Sequence, residues 1–197
     1  GRLSIENDAK HVRIRRIHLE EDAGKLLHIE GADHSLVDMN RSGVPLVEIV
    51  TKMIEGAESD APEVGKAYVS AIRDIVVALG ISDAKMERGN LRCDANVSVM
   101  LKDAKEFGKK VEVKNMNSIR NVQRAIEFEI TRQIEALENG ETLYQETRAF
   151  DALKGITISM RSKEAANDYR YFPEPDLQPI FVSQEQINKV KSEMPPL

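Results

Sequence analysis

At 197 residues the chain is long enough to bury a core and suits one large domain or two small ones; a single domain over 1–197 is expected. Hydrophobic residues make up 41% and charged residues 31%, and no apolar run approaches the length of a membrane span, so no membrane role is expected. Cys93 is the one cysteine, which excludes an internal disulfide and a thiolate zinc site and fits a reducing, cytoplasmic compartment, and a formal charge of -5 argues against a general nucleic-acid glove.

The first element in chain order is a strand over Lys10 to Glu20. Val12 and Ile14 alternate with Arg13 and Arg15, and Ile17 and Leu19 continue in the opposite phase, so a bulge is expected near Arg15 and Arg16. Asp22-Ala23-Gly24-Lys25 reads as a turn, and Lys25 to Ile29 as a short strand that pairs back. Ser35 to Asn40 and Val44 to Val50 are strand-like, with the turn Arg41-Ser42-Gly43 between them.

Asp60 with Glu63 resembles a capping box, Pro62 sits in the first turn, and Val64, Ala67, Tyr68, Ala71, Ile72, Ile75, Val76 and Leu79 recur at helical spacing up to Gly80. From Leu91 to Val99 the pattern is strict alternation, and Lys110 to Lys114 repeats it. Gly108 lies between them, which predicts an antiparallel hairpin with a loose loop.

Ser118 caps a long helix whose buried stripe is expected to be Val122, Ala125, Ile126, Ile130, Ile134 and Leu137, closed by Asn139-Gly140. Strand-like pieces follow at Thr142 to Phe150 and Ile156 to Met160. A short closing helix over Gln184 to Glu193, within 181–197, precedes Pro195-Pro196. Strands in groups separated by two long helices predict α+β with a largely antiparallel sheet.

The residues that suggest chemistry are carboxylates in strands. Glu48, inside Leu46-Val47-Glu48-Ile49-Val50, costs several kcal/mol to bury unless a cation or hydrogen bonds compensate. The alternative is a solvent-facing position on an edge strand. Arg92, Asp94, Asn96 and Ser98, beside Lys110, Glu112 and Lys114, would place two carboxylates and basic groups on one sheet face, within reach of one ligand.

Oxygen donors without thiolates suit magnesium, which keeps waters and bridges nucleotide phosphates, and phosphoryl transfer needs that metal together with Lys or Arg. A solvated outer face is the alternative. Glu20-Glu21-Asp22 is by itself a weak signal, more often a solvated turn than a ligand set. There is no Walker-type loop, Gly89 stands alone, and His11, His18, His28 and His34 lack metal-ligand spacing. The aromatic run from Asn167 to Asp176 suits base stacking or the covering of a core edge, packing being the plainer role.

Several strings, in order and over nearly the whole chain, resemble the B-subunit family of the aspartyl/glutamyl-tRNA amidotransferases. They are HLEEDAGK at His18 to Lys25, SLVD at Ser35 to Asp38 with NRSG at Asn40 to Gly43, PLVEIV at Pro45 to Val50, and MERGNLRCD at Met86 to Asp94. EVKNMNS at Glu112 to Ser118, QETR at Gln145 to Arg148, and RSKE at Arg161 to Glu164 running into DYRYFPEPD at Asp168 to Asp176 complete the set.

The resemblance implies a catalytic cradle like the glutamine synthetase and guanido kinase catalytic domains, an antiparallel sheet flanked by helices. It implies ATP- and Mg2+-dependent phosphorylation of the side-chain carboxylate of Glu-tRNA(Gln) or Asp-tRNA(Asn), a ligase reaction in which ammonia then displaces phosphate. That ammonia is channelled from glutamine hydrolysed on an amidase A subunit, and a small C subunit completes a heterotrimer. Carried over by motif, Glu21 and Glu48 resemble metal-binding positions, Asp94 and Glu112 a second acidic pair at the same catalytic pocket, and Arg92, Lys114, Asn115 and Ser118 supporting groups for the nucleotide.

The family's opening segment, which supplies a glutamate and a histidine, and its C-terminal tRNA-gripping helical tail have no counterpart here, so the fragment alone is expected to be inactive. Thr51 to Ala57 replaces the family's Ser-Glu-Pro-type turn, and an archaeal relative specialised for Glu-tRNA(Gln) shares the cradle. The competing readings are a non-catalytic scaffold that docks the amidase subunit and tRNA, and a free-standing glutamine synthetase-like enzyme.

Overall fold

The computed structural model describes residues 2–5, 10–31, 33–54, 57–162 and 180–194. The chain divides into two units, Gly1–Glu164 and Ala165–Leu197. The aromatic run of residues 167–176 lies outside the described residues.

In the first unit β2 (Lys10–Glu21) is rich in β-branched and alternating residues and pairs antiparallel with β1 (Arg2–Ile5) on one side and β5 (Pro45–Thr51) on the other. Its register against β5 shifts between Ile14 and Arg16, the bulge that the phase slip predicts. β3 (Lys25–His28) pairs with β4 (Ser35–Asp38), Leu26 opposite Val37 and Leu27 opposite Leu36, rather than returning onto β2.

α1 (Ala61–Ala78) starts where the periodicity places it, with Pro62 in the first turn. The expected capping box does not form. Asp60 is the N-cap residue but closes the 3-10 turn Glu58–Asp60 with φ -87° and ψ 0°, outside the extended backbone from which an N-cap oxygen reaches the helix amides, and it makes no side-chain cap bond.

β6 (Ala95–Val97) and β7 (Val111–Lys114) form the predicted antiparallel hairpin, with Asn96 opposite Glu112. The ladder is shorter than the alternating run, although exposure still alternates from Leu91 to Met100. Gly108 is required in the connection because a Cβ there would overlap the Val99 carbonyl oxygen.

α2 (Ile119–Glu138) follows, and β8 (Glu146–Asp151) then returns parallel to β7, so this part is a βαβ crossover. β9 (Ile156–Ser162) pairs antiparallel with β8 and completes the order β6-β7-β8-β9. The architecture is α+β with small, mainly antiparallel sheets. Its main core joins Val97, Val111 and Val113 of the sheet to Val122, Ala125 and Ile126 of α2, Val69 of α1 and Phe150 of β8.

α2 departs from its expected stripe. Ser118 caps it as predicted, accepting from the Asn121 amide at 3.1 Å. Val122, Ala125 and Ile126 are buried, but Ile134 and Leu137 are 40% and 44% exposed, while Glu129 and Gln133 are fully buried.

The open edge of β6 explains the exchange. Gln133 Nε2 donates to the Val97 carbonyl at 3.2 Å and its Oε1 accepts from the Val99 amide at 3.1 Å, so one side-chain amide replaces a missing strand. Glu129 accepts from Gln133 Nε2 at 2.9 Å, from the Thr157 hydroxyl at 2.9 Å and from Arg132 Nη2 at 2.5 Å, with Arg148 Nε 3.7 Å away. A buried carboxylate is tolerable because every side of it is answered by a donor or a cation.

Glu146 of β8 extends the network, accepting from Arg148 at 2.8 Å and from Ser159 at 2.5 Å. Burial alone would raise its pKa, but the hydrogen bonds from Ser159 and Arg148 and the charges of Arg148 and Arg132 hold it below the ordinary glutamate value.

In the second unit α3 (Gln184–Glu193) is the expected closing helix. Ser183 and Gln186 form its capping box, the Ser183 hydroxyl oxygen accepting from the Gln186 amide at 3.1 Å and the Gln186 side-chain oxygen accepting from the Ser183 amide at 2.7 Å. Among the described residues no helix is long and apolar enough to cross a membrane.

Gln133→Ala is expected to destabilise the protein by about 2–3 kcal/mol, because it strands the Val97 carbonyl, the Val99 amide and one donor to Glu129. Gln133→Leu, which fills the volume, is expected to cost nearly as much. Urea denaturation checks both, and a near-neutral Gln133→Leu would contradict the edge-capping role.

Candidate active site

The alternation along β6 and β7 turns Val97, Val111 and Val113 into the core and sends Asp94, Asn96, Glu112 and Lys114 to the opposite face. Lys114 Nζ is bonded to Asp94 Oδ2 and lies 3.4 Å from Glu112 Oε1, so one ammonium is shared by the carboxylate just before β6 and one on β7. Burial would lower the Lys114 pKa, but the hydrogen bond and charge of Asp94, followed by the charge and hydrogen bond of Glu112, hold it above the usual lysine value.

β8 contributes a residue that the sequence pattern does not single out. Thr147, opposite Glu112 in the parallel ladder and 1% exposed, donates its hydroxyl to Glu112 Oε2 at 3.0 Å. Only its membership of the QETR string points to it.

Asn115, directly after β7, has φ +65°, a left-handed conformation that asparagine tolerates better than most residues. It and Ser118 connect the Glu112–Lys114 cluster to the N-terminus of α2, where the Ser118 oxygen already serves as the cap. Arg92 and Asp94 are two residues apart in the alternating segment and both are exposed.

Cys93 lies between them with its side chain against the core. Burial, and then the charge of Asp94, push its thiol up to about 12, which removes it as a nucleophile.

The other two expected carboxylates are in the β2–β5 ladder. Glu48 lies opposite His18 and is half-exposed, not buried as its apolar flanks suggest, and Arg16 Nη2 donates to its Oε2 at 2.8 Å. Glu21 lies opposite Pro45 and is exposed. Strand alternation places Glu21 on the face of Leu19 and Val47, while Glu48 shares its face with His18 and Glu20. The structure therefore brings Asp94 and Glu112 together through Lys114, and the β2–β5 ladder does not bring Glu21 and Glu48 onto one face.

Among the described residues no group of three or more His, Cys, Asp or Glu side chains is arranged to hold a metal ion. The Asp94–Glu112 pair nevertheless fits magnesium, which is commonly held by one or two carboxylates with waters and phosphate oxygens filling the other positions.

Thr147→Val keeps the shape of the side chain and removes the donor to Glu112. We expect a loss of about 1–2 kcal/mol in denaturant unfolding, largely restored in Thr147→Ser. An unchanged midpoint in Thr147→Val would show that the hydroxyl does not hold Glu112.

Residues 1–188 match the family model described as the GatB/GatE catalytic domain. Among curated relatives, the B subunit of the aspartyl/glutamyl-tRNA(Asn/Gln) amidotransferase of Leifsonia xyli subsp. xyli is 56% identical, covering 99% of this chain and 41% of that protein. The B subunit from Clavibacter michiganensis subsp. michiganensis is 59% identical, covering 93% of this chain and 38% of the relative. That of Lawsonia intracellularis is 51% identical, over 99% of this chain and 40% of the relative. The chain thus spans about two fifths of the length of these relatives, and it belongs to the GatB/GatE catalytic domain family.

Proposed function

We propose that the chain is the carboxylate-activating part of an amidotransferase B subunit, working with ATP and Mg2+ on Glu-tRNA(Gln) or Asp-tRNA(Asn), on a cradle of the glutamine synthetase and guanido kinase kind. A side-chain carboxylate oxygen of the tRNA-bound amino acid attacks the γ-phosphorus and ADP leaves. Ammonia then adds to the acyl phosphate, phosphate leaves, and the amide remains. The ammonia is made from glutamine on an amidase A subunit and reaches the site by a channel, and a small C subunit completes the heterotrimer.

The observation that carries this reading is the Lys114 ammonium shared between Asp94 and Glu112. Two carboxylates separated by one cation, on a half-exposed sheet face, form an electrostatic cluster that can exchange its ammonium contacts for a divalent ion and offer Lys114 to phosphate oxygens. Magnesium, when bound, supplies the charge neutralisation that phosphoryl transfer requires. Asp94 and Glu112 would hold it, with Thr147 keeping Glu112 aimed, and Lys114, Arg92, Asn115 and Ser118 would orient the phosphates. The family resemblance points to Glu21 and Glu48 as well, but they lie on opposite faces of the β2–β5 ladder, so at most one of them joins the metal site, and Glu48 is the one tested below.

A docking role for the same chain is favoured by one feature, the exposed apolar face of Ile17, Leu19 and Val47 on the β2–β5 ladder. If docking is its whole role, the carboxylates are dispensable for turnover.

In the intact protein assembled with its partners, Asp94→Ala and Glu48→Ala are each expected to lower tRNA- and Mg2+-dependent ATP consumption by about 100-fold or more, with the melting temperature within a few degrees of wild type. Full activity in both variants would leave the docking role as the better account. Turnover of a free amino acid without tRNA would point to a glutamine synthetase-like enzyme instead.

A further inference from the structure

Two guanidinium groups from separate loops meet over one turn. A Cβ placed on Gly89 would lie 3.6 Å from both Nε and Nη2 of Arg92 and 3.7 Å from Nη1 of Arg41. Arg41 belongs to the connection between β4 and β5 and Arg92 to the segment entering β6, so folding rather than sequence proximity brings them together.

Both loops are fixed. The Gly89 amide donates to the Met86 carbonyl at 3.0 Å, the Asn90 amide to the Lys85 carbonyl at 3.0 Å, and the Asn90 side chain to Asp83 at 2.6 Å. On the other side the Ser42 amide donates to the Met39 carbonyl at 3.0 Å, Gly43 to the Asp22 carbonyl at 2.8 Å, and Val44 to the Arg41 carbonyl at 3.1 Å.

Arg41 Nε is tied to Asp22 Oδ2 at 2.8 Å, which fixes the planar fork while Nη1 faces Gly89. Arg92 has no hydrogen-bond or ion-pair partner among the described residues. Gly89 has φ +73°, which a residue with a side chain adopts only with strain, and both forks lie within van der Waals reach of the place its Cβ would take.

Two like charges held against one glycine, with Asp22 paired to Arg41, make a site that an anion would complete, and paired guanidinium forks match the oxygens of a phosphate. Arg92 lies two residues before Asp94, the carboxylate that bonds Lys114, and both are exposed. We propose that Arg41 and Arg92 form a clamp over Gly89 for a phosphate-class oxyanion. Its identity as a phosphate of the nucleotide rests on the function proposed above, whereas the clamp itself does not.

The test is isothermal titration of the intact protein, in Mg2+, with pyrophosphate and with ATP, for wild type, Arg41→Gln and Arg92→Gln. The clamp predicts that each substitution weakens pyrophosphate and ATP about tenfold or more and leaves adenosine binding unchanged. Arg92 has no hydrogen bond or ion pair to lose among the described residues, so Arg92→Gln keeps the test decisive even if Arg41→Gln loosens the tie to Asp22. Pyrophosphate binding that is weakened by both substitutions, in a protein that does not bind ATP, keeps the clamp and removes the nucleotide reading. Pyrophosphate binding absent from wild type, or unchanged in either variant, overturns the clamp.

Discussion

The shared ammonium of Lys114 is the interaction on which the site depends. Asp94 and Glu112 are brought to neighbouring positions by the β6–β7 register, and without a cation between them their charges would push the strands' polar faces apart. That register is fixed from the other side, because Val97, Val111 and Val113 must face α2. A slip by one residue would send the valines to water and the charges into the core. The packing that stabilises this sheet thus also decides which charged groups share the opposite face.

The rest of the unit is organised to keep that register. β6 is the edge of its sheet, and Gln133 supplies the hydrogen bonds that a further strand would give. The buried carboxylate of Glu129 orients Gln133 and is balanced by Arg132, Arg148 and Thr157, so α2 is bound to both outer strands of the sheet, β6 and β9. Thr147, between Glu112 and β9, makes the corresponding link on the polar face. The polar cluster is therefore mounted on strands whose positions are over-determined, the condition for preorganised electrostatics.

Local signals are legible where one physical effect dominates. Alternation reveals the β6–β7 hairpin, the phase slip reveals the bulge near Arg15, and the Ser118 and Asn139-Gly140 ends of α2 follow from capping chemistry. The departures arise where tertiary partners decide. Ile134 and Leu137 have core-like spacing, but the open edge of β6 favours Gln133, and no periodicity records an edge. The parallel β7–β8 pairing is also hidden, because α2 separates the two strands in sequence. The apolar neighbours of Glu48 suggest burial, but in a sheet with an exposed Leu19 and Val47 those neighbours do not define an inside. Arg41 stands out in the sequence only as part of a turn, since its approach to Arg92 depends on how two loops fold together. Asp94, Glu112 and Lys114 are legible as a charged strand face. Their common contact is not, because it needs the register.

Under the proposed function, Asp94 and Glu112 exchange the Lys114 ammonium for a metal ion that carries nucleotide phosphates. The most direct measurement is a crystal structure of the intact protein with ATP and manganese in place of magnesium, with the ion located by its anomalous scattering. The ion is expected at coordination distance, about 2.0–2.2 Å, from an oxygen of Asp94 or Glu112, with Lys114 turned to the phosphates. Manganese and nucleotide bound elsewhere, with Lys114 still bridging the two carboxylates, would contradict it.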